Sequence, residues 1–131
     1  MKRTLRCVVL LSLLLCAFAA AAPPQSSKPK YDAATETTFK GVVEEVKDFE
    51  CPVSGTVGSH LEVRSADALV EVHLAPAAFM NDFGIVINKG DKVDVIGSRI
   101  TLNGVSTVLA RQVNSNNYMY TFRNEQGRPL W

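Results

Sequence analysis

Cysteine and histidine are scarce in this 131-residue chain, which has three of the first and two of the second. Cys7 and Cys16 fall in an N-terminal segment that reads as a removable leader, so Cys51 then stands alone. A single remaining cysteine excludes an internal disulfide and leaves two fates, a free thiol or a bridge that makes a Cys51-linked dimer. Neither sign of charge is in excess, with 14 Lys and Arg facing 13 Asp and Glu. Without Lys2, Arg3 and Arg6 the balance becomes 11 against 13, a net charge of −2. A domain that grips phosphates carries a basic excess or a basic stripe, so these totals argue against nucleic acid. No phosphate-binding loop, nucleophile elbow or H-E-x-x-H zinc motif occurs, and no internal repeat is visible. Cys51 and His60 form the one thiol–imidazole pair on offer, with no third group to orient the imidazole. The chain does not read as an enzyme.

What is present begins with the leader. Lys2, Arg3 and Arg6 precede an apolar run from Val8 to Ala22, and alanines 17, 19 and 21 supply a small-residue cleavage pattern. The run falls short of the ~20 residues a membrane span needs. Residues 1–21 therefore read as a secretory signal peptide, and the mature protein is expected to be exported, to the periplasm, with no transmembrane span. Pro23-Pro-Gln-Ser-Ser-Lys-Pro-Lys30 cannot bury a core, so residues 22–36 are expected to be a disordered linker. The folded domain is then 37–131.

Alternation with period two dominates that domain, which marks it as all-β. Phe39, Gly41 and Val43 share one face, and a phase slip across Glu44-Glu45 to Val46 signals a β-bulge. Cys51 to Ser59, CPVSGTVGS, reads as a Gly/Pro/Ser loop. His60–Ser65 and Ala68–Leu74 form a hairpin about Ala66-Asp67. Like faces meet only when paired numbers have an odd sum, and a sum of 133 sets Leu61 against Val72 and Val63 against Val70. The same register sets His60 against His73 and Glu62 against Glu71 on the outer face. Pro76 opens a short helix that Gly84 ends, with Phe79 and Phe83 expected to plug one end of the fold. A strand interrupted at Gly97, a tight Asn103-Gly104 turn and a return strand to Val113 follow. Tyr118, Tyr120 and Phe122 alternate on a further strand, and Asn124–Gly127 turns the chain into a terminal hairpin.

Three strands, a short helix, two strands and a C-terminal β-hairpin make an all-β order. Over residues 37–114 it resembles the five-stranded OB-fold barrel, with its helix between strands three and four. Phe39-Lys-Gly41, Lys89-Gly-Asp91 and Val93-Asp-Val-Ile-Gly97 carry the likeness. Within that fold the chain is similar to small exported bacterial OB-fold proteins, a group that includes periplasmic stress-tolerance proteins. The resemblance implies a binding module of the cell envelope rather than an enzyme, with a protein, peptide, sugar or small-molecule ligand.

On an OB-fold the outer face of strands two and three and the adjoining loop form the usual binding surface. Here that face carries His60, Glu62, Arg64, Leu69, Glu71 and His73, and the loop carries Cys51, Val53 and Val57. Two cross-strand histidines beside two carboxylates suit a divalent ion, zinc or copper, held by His60, His73, Glu62 and Glu71. A ligand would also give the repulsive Glu62/Glu71 pair a purpose. Single-stranded nucleic acid is the third option. The carboxylates occupy its stacking and cationic positions on this face, which makes it the poorest fit; the Tyr118, Tyr120 and Phe122 face suits it better.

Overall fold

The computed structural model describes residues 28–131. The signal peptide and the first part of the expected linker lie outside them. A 3₁₀ turn, Ala33–Thr35, leads into six strands and one helix: β1 (Glu36–Cys51), β2 (Thr56–Ser65), β3 (Ala68–Pro76), α1 (Ala77–Asp82), β4 (Lys92–Leu102), β5 (Val105–Ser115) and β6 (Tyr118–Thr121). The sheet order is β3-β2-β1-β4-β5-β6, antiparallel throughout except for an added parallel pairing of β3 with β5. Through that pairing the succession β1–β2–β3–β5–β4–β1 returns to its first strand. No described helix is long and apolar enough to cross a membrane.

Period-two alternation produces the interior. Leu61 and Val63 of β2, Val72 and Leu74 of β3, and Val93 and Val95 of β4 are all fully buried. They meet in the predicted register, Leu61 opposite Val72 and Val63 opposite Val70 about the two-residue Ala66-Asp67 turn. The bulge also falls as expected: Val43 pairs with Val63 and Glu45 with Glu62, leaving Glu44 as the extra residue. Its carboxylate instead receives two hydrogen bonds from Arg64, at 2.7 and 3.0 Å. The β4–β5 register shifts between Ile96 and Gly97, and the close approach there needs glycine, since a side chain would run into the Leu109 carbonyl and a Val108 methyl. Asn103 and Gly104 both take positive φ, 49° and 77°, as a two-residue hairpin turn requires.

Three expectations need correction. Order begins before Thr37: Asp32 caps the 3₁₀ turn through Ala34, and Tyr31 and Arg111 both bond the Glu36 carboxylate. A charged surface anchor thus fixes what composition alone marks as linker. The CPVSGTVGS loop is mostly strand, since β1 runs to Cys51 and β2 starts at Thr56. Only Pro52–Gly55 turns, closed by Gly55 N–H on the Cys51 carbonyl at 2.9 Å. Phe83 does not plug the fold: it is 70 % exposed, and only Phe79 packs on the core. The C-terminal turn falls where expected, at Asn124–Gly127, with Gly127 N–H on the Asn124 carbonyl at 2.9 Å and Asn124 N–H on the Arg128 carbonyl at 3.0 Å. β6 pairs with β5, and residues 128–131 return through one bridge, Arg123 with Pro129, and a Leu130-to-Phe122 hydrogen bond.

Candidate metal centre

His60 and His73 stand opposite each other in the β2–β3 ladder, as the odd-sum rule requires. Their surroundings differ from the expected solvent-facing surface, because the two residues are 1 % and 0 % exposed. Phe49 of β1 stacks on His60, with ring centroids 4.0 Å apart. On the other side Trp131 lies 6.3 Å from His73, brought there by the returning C-terminal segment. Two aromatic side chains far apart in sequence therefore cover what a lone hairpin would leave in water.

The bulge at Glu44 brings the third member. With Val46 opposite Leu61 and Lys47 opposite His60, odd-numbered residues of β1 beyond the slip share the histidine face. Those residues are Glu45, Lys47, Phe49 and Cys51. Cys51 is 3 % exposed, and its sulfur and one donor nitrogen from each histidine all lie within 4.8 Å of one another. Gly58 makes the approach possible. A methyl group there would stand 2.6 Å from Ser54 Oγ, 3.2 Å from His73 Nε2 and 3.3 Å from Cys51 Cβ.

The imidazoles are under-used as hydrogen-bonding groups. His73 Nε2 has Ser54 Oγ at 2.8 Å. No protein group bonds Nδ1 or Nε2 of His60, or Nδ1 of His73, and all three atoms are buried. Glu71 Oε1 comes to 3.2 Å from His60 Nδ1, off the line of a hydrogen bond. Buried nitrogens without partners are uncommon and call for an account. Burial pushes the His60 pKa down to about 4. It pushes that of His73 down to about 3, helped by the charge of Arg123 and by His60. Both rings are thus neutral near pH 7, the state in which imidazole binds a metal.

Arg123 completes the surroundings. It is 2 % exposed, donates Nη1–H to the Ala110 carbonyl at 2.6 Å, and lies 4.8 Å from the Trp131 ring centroid. Burial lowers its pKa to about 10, so it stays a cation at neutral pH.

The other expected site residues separate. Glu62 is held by Lys47, which relieves the Glu62/Glu71 repulsion without any ligand. Arg64 is spent on Glu44. Leu69 and Val57 are exposed, and Val53 is half-buried in the turn. Of the expected four-residue set of His60, His73, Glu62 and Glu71, the two histidines gather with Cys51, and Glu71 stands 3.2 Å from His60 Nδ1. The Cys51 thiol is free and buried among these groups. The phase slip was the signal that could have revealed Cys51, because it fixes which β1 residues share the histidine face.

The pattern of the MamS/MamX magnetosome protein family matches residues 35–120, well over half the chain. The chain belongs to that family. No curated protein matches it. The MamS/MamX match spans all three donors, whereas Arg123 and Trp131 lie beyond its last residue.

One thiol and two neutral imidazoles form a donor set for zinc or copper. Metal bonds of about 2.0–2.3 Å put ligand atoms about 3.5 Å apart, so the trio needs a contraction of about 1 Å at its widest. Side-chain rotation supplies such a movement. A cleft of about 390 Å³ is lined by Glu50, Cys51, Pro52, Gly55 and Thr56.

Proposed function

We propose that this MamS/MamX family protein is an exported OB-fold binding module whose ligand is a transition-metal ion held by Cys51, His60 and His73. One observation carries the reading. Three nitrogens of two buried imidazoles lack a protein partner, and one nitrogen of each ring lies within 4.8 Å of the other and of a thiol. A bound metal would satisfy one nitrogen of each ring, and burial keeps both rings in the required neutral form. Glu71 would orient His60 from behind, as carboxylates commonly do for metal-bound histidines.

Support for the OB-fold comes from the cycle of strand pairings, its parallel β3–β5 closure and the helix between β3 and β4. Export is supported by the basic start and short apolar run of residues 1–21. The family's name supports a place among magnetosome proteins. A fold of this kind hosts many functions, so the donors carry the argument.

Thermal unfolding of the purified protein with Zn²⁺, with copper and with a chelator tests the reading. A ligand bound only by the folded state raises the melting temperature. The rise should appear with at least one metal, vanish with chelator, and be lost in Cys51→Ser and in His60→Gln/His73→Gln. A melting temperature indifferent to every metal would contradict it.

A further inference from the structure

We propose that the Cys51–His60–His73 centre selects copper(I) over zinc(II). The inference rests on the metal-binding reading and adds the identity and charge of the ion.

Donor number is the first argument. Among the described residues, metal-ligating side chains cluster at these three alone, with one ligand atom each. Glu62 is engaged by Lys47, and Glu71 addresses His60 from the side chain's Nδ1. Zinc prefers four ligands: a structural site fills them from the protein, and a catalytic site adds a water in an open position. Here Phe49 and Trp131 cover the histidines, so the ring side is screened by apolar surface rather than opened to water. Copper(I), a soft d¹⁰ ion, is content with a thiolate and two imidazoles in a plane.

Charge is the second argument. Arg123 is buried beside His73 and bonds backbone carbonyls, with no carboxylate within hydrogen-bonding reach. A thiolate at Cys51, the Glu71 carboxylate and the Arg123 guanidinium leave one net negative charge around the donors. Lys47 is shared by Glu62 and Glu45, and Glu45, Asp48 and Glu50 are exposed to screening solvent. A monovalent ion makes the buried cluster neutral. A divalent ion leaves a net positive charge next to an immovable cation, where the low dielectric amplifies the repulsion.

Competition titrations of the purified protein decide the matter. Copper(I) is supplied anaerobically with ascorbate against bicinchoninate, and zinc(II) against a pyridylazo dye. One equivalent of copper(I) should be held at least about a thousandfold more tightly than zinc. Cys51→Ser should remove at least about a hundredfold of that copper affinity. Arg123→Gln, checked for folding by circular dichroism, should narrow the copper-to-zinc ratio by raising zinc affinity. Zinc bound as tightly as copper(I) overturns the selectivity and leaves the metal reading standing. Retention of neither ion overturns both. The wild-type ratio decides alone if the Arg123 variant fails to fold.

Discussion

His60 and His73 meet edge to face across the β2–β3 ladder, with ring centroids 4.9 Å apart and planes at 88°. The arrangement keeps two neutral imidazoles side by side in a buried site. It ties the stability of the metal-free protein to pH.

In the folded protein the two pKa values are held near 4 and 3, whereas an unfolded histidine titrates near 6.5. Above about pH 6.5 both states are neutral and the pair contributes no pH dependence. As pH falls from about 6.5 toward about 3, the unfolded chain takes up protons that the folded chain refuses, and stability declines. The slope approaches about 2.7 kcal/mol per pH unit when both histidines are fully linked. Urea midpoints of the metal-free protein across this range measure it, and His60→Gln/His73→Gln should flatten the curve. A wild-type midpoint unchanged between pH 6.5 and 4 would refute the burial of the pair.

The carboxylates should divide by role. Glu71 lies 3.2 Å from His60 Nδ1, so Glu71→Ala should weaken metal binding by about 10- to 100-fold. Glu62 is paired with Lys47, and Glu62→Ala should leave metal affinity unchanged. Equal losses in a chelator competition would mean that both carboxylates serve the ion, as the sequence pattern alone suggests.

Gly58 should be indispensable to the centre. A methyl group at that position presses on Ser54, His73 and Cys51 together. Gly58→Ala should weaken metal binding more than tenfold and destabilise the protein by about 1–3 kcal/mol. Isothermal titration and urea unfolding of the one variant give both numbers, and full affinity in Gly58→Ala would show that the three donors do not converge there.

Gly97 should matter to the fold and not to the centre. Its Cβ would fall on the Leu109 backbone, which cannot move away as a side-chain tip can. Gly97→Ala should destabilise by about 1–3 kcal/mol, read from urea unfolding, with metal affinity retained in the folded fraction. A neutral substitution would mean that the Leu109 backbone does not approach Gly97 this closely.

Much of this layout can be read from residues one at a time. Leu61, Val63, Val70 and Val72 fix the β2–β3 register because a one-residue slip would turn every one of them outward. That register alone aligns His60 with His73. Their burial is not legible there, because it depends on Phe49 from another strand and on Trp131 from the chain's far end. Cys51 was hidden by composition. Gly, Pro and Ser around it suggest a long loop, yet the turn uses only Pro52–Gly55 and leaves Cys51 at a strand end facing the histidines. Phe83 misled in the opposite direction: its i,i+4 spacing does bring its ring within 4.6 Å of Phe79, but at the C-cap of α1 it lies on the solvent side of that ring. Local periodicity states which residues share a face, and only the packing of distant segments states what covers that face.

X-ray absorption at the edge of the bound metal tests the central claim most directly. Metal supplied at one equivalent should show one sulfur at about 2.3 Å and two imidazole nitrogens at about 2.0 Å. That pattern requires Cys51, His60 and His73 together, since this domain offers no other thiol or imidazole beyond residue 27. A first shell of oxygen and nitrogen alone, with no sulfur, would contradict the account.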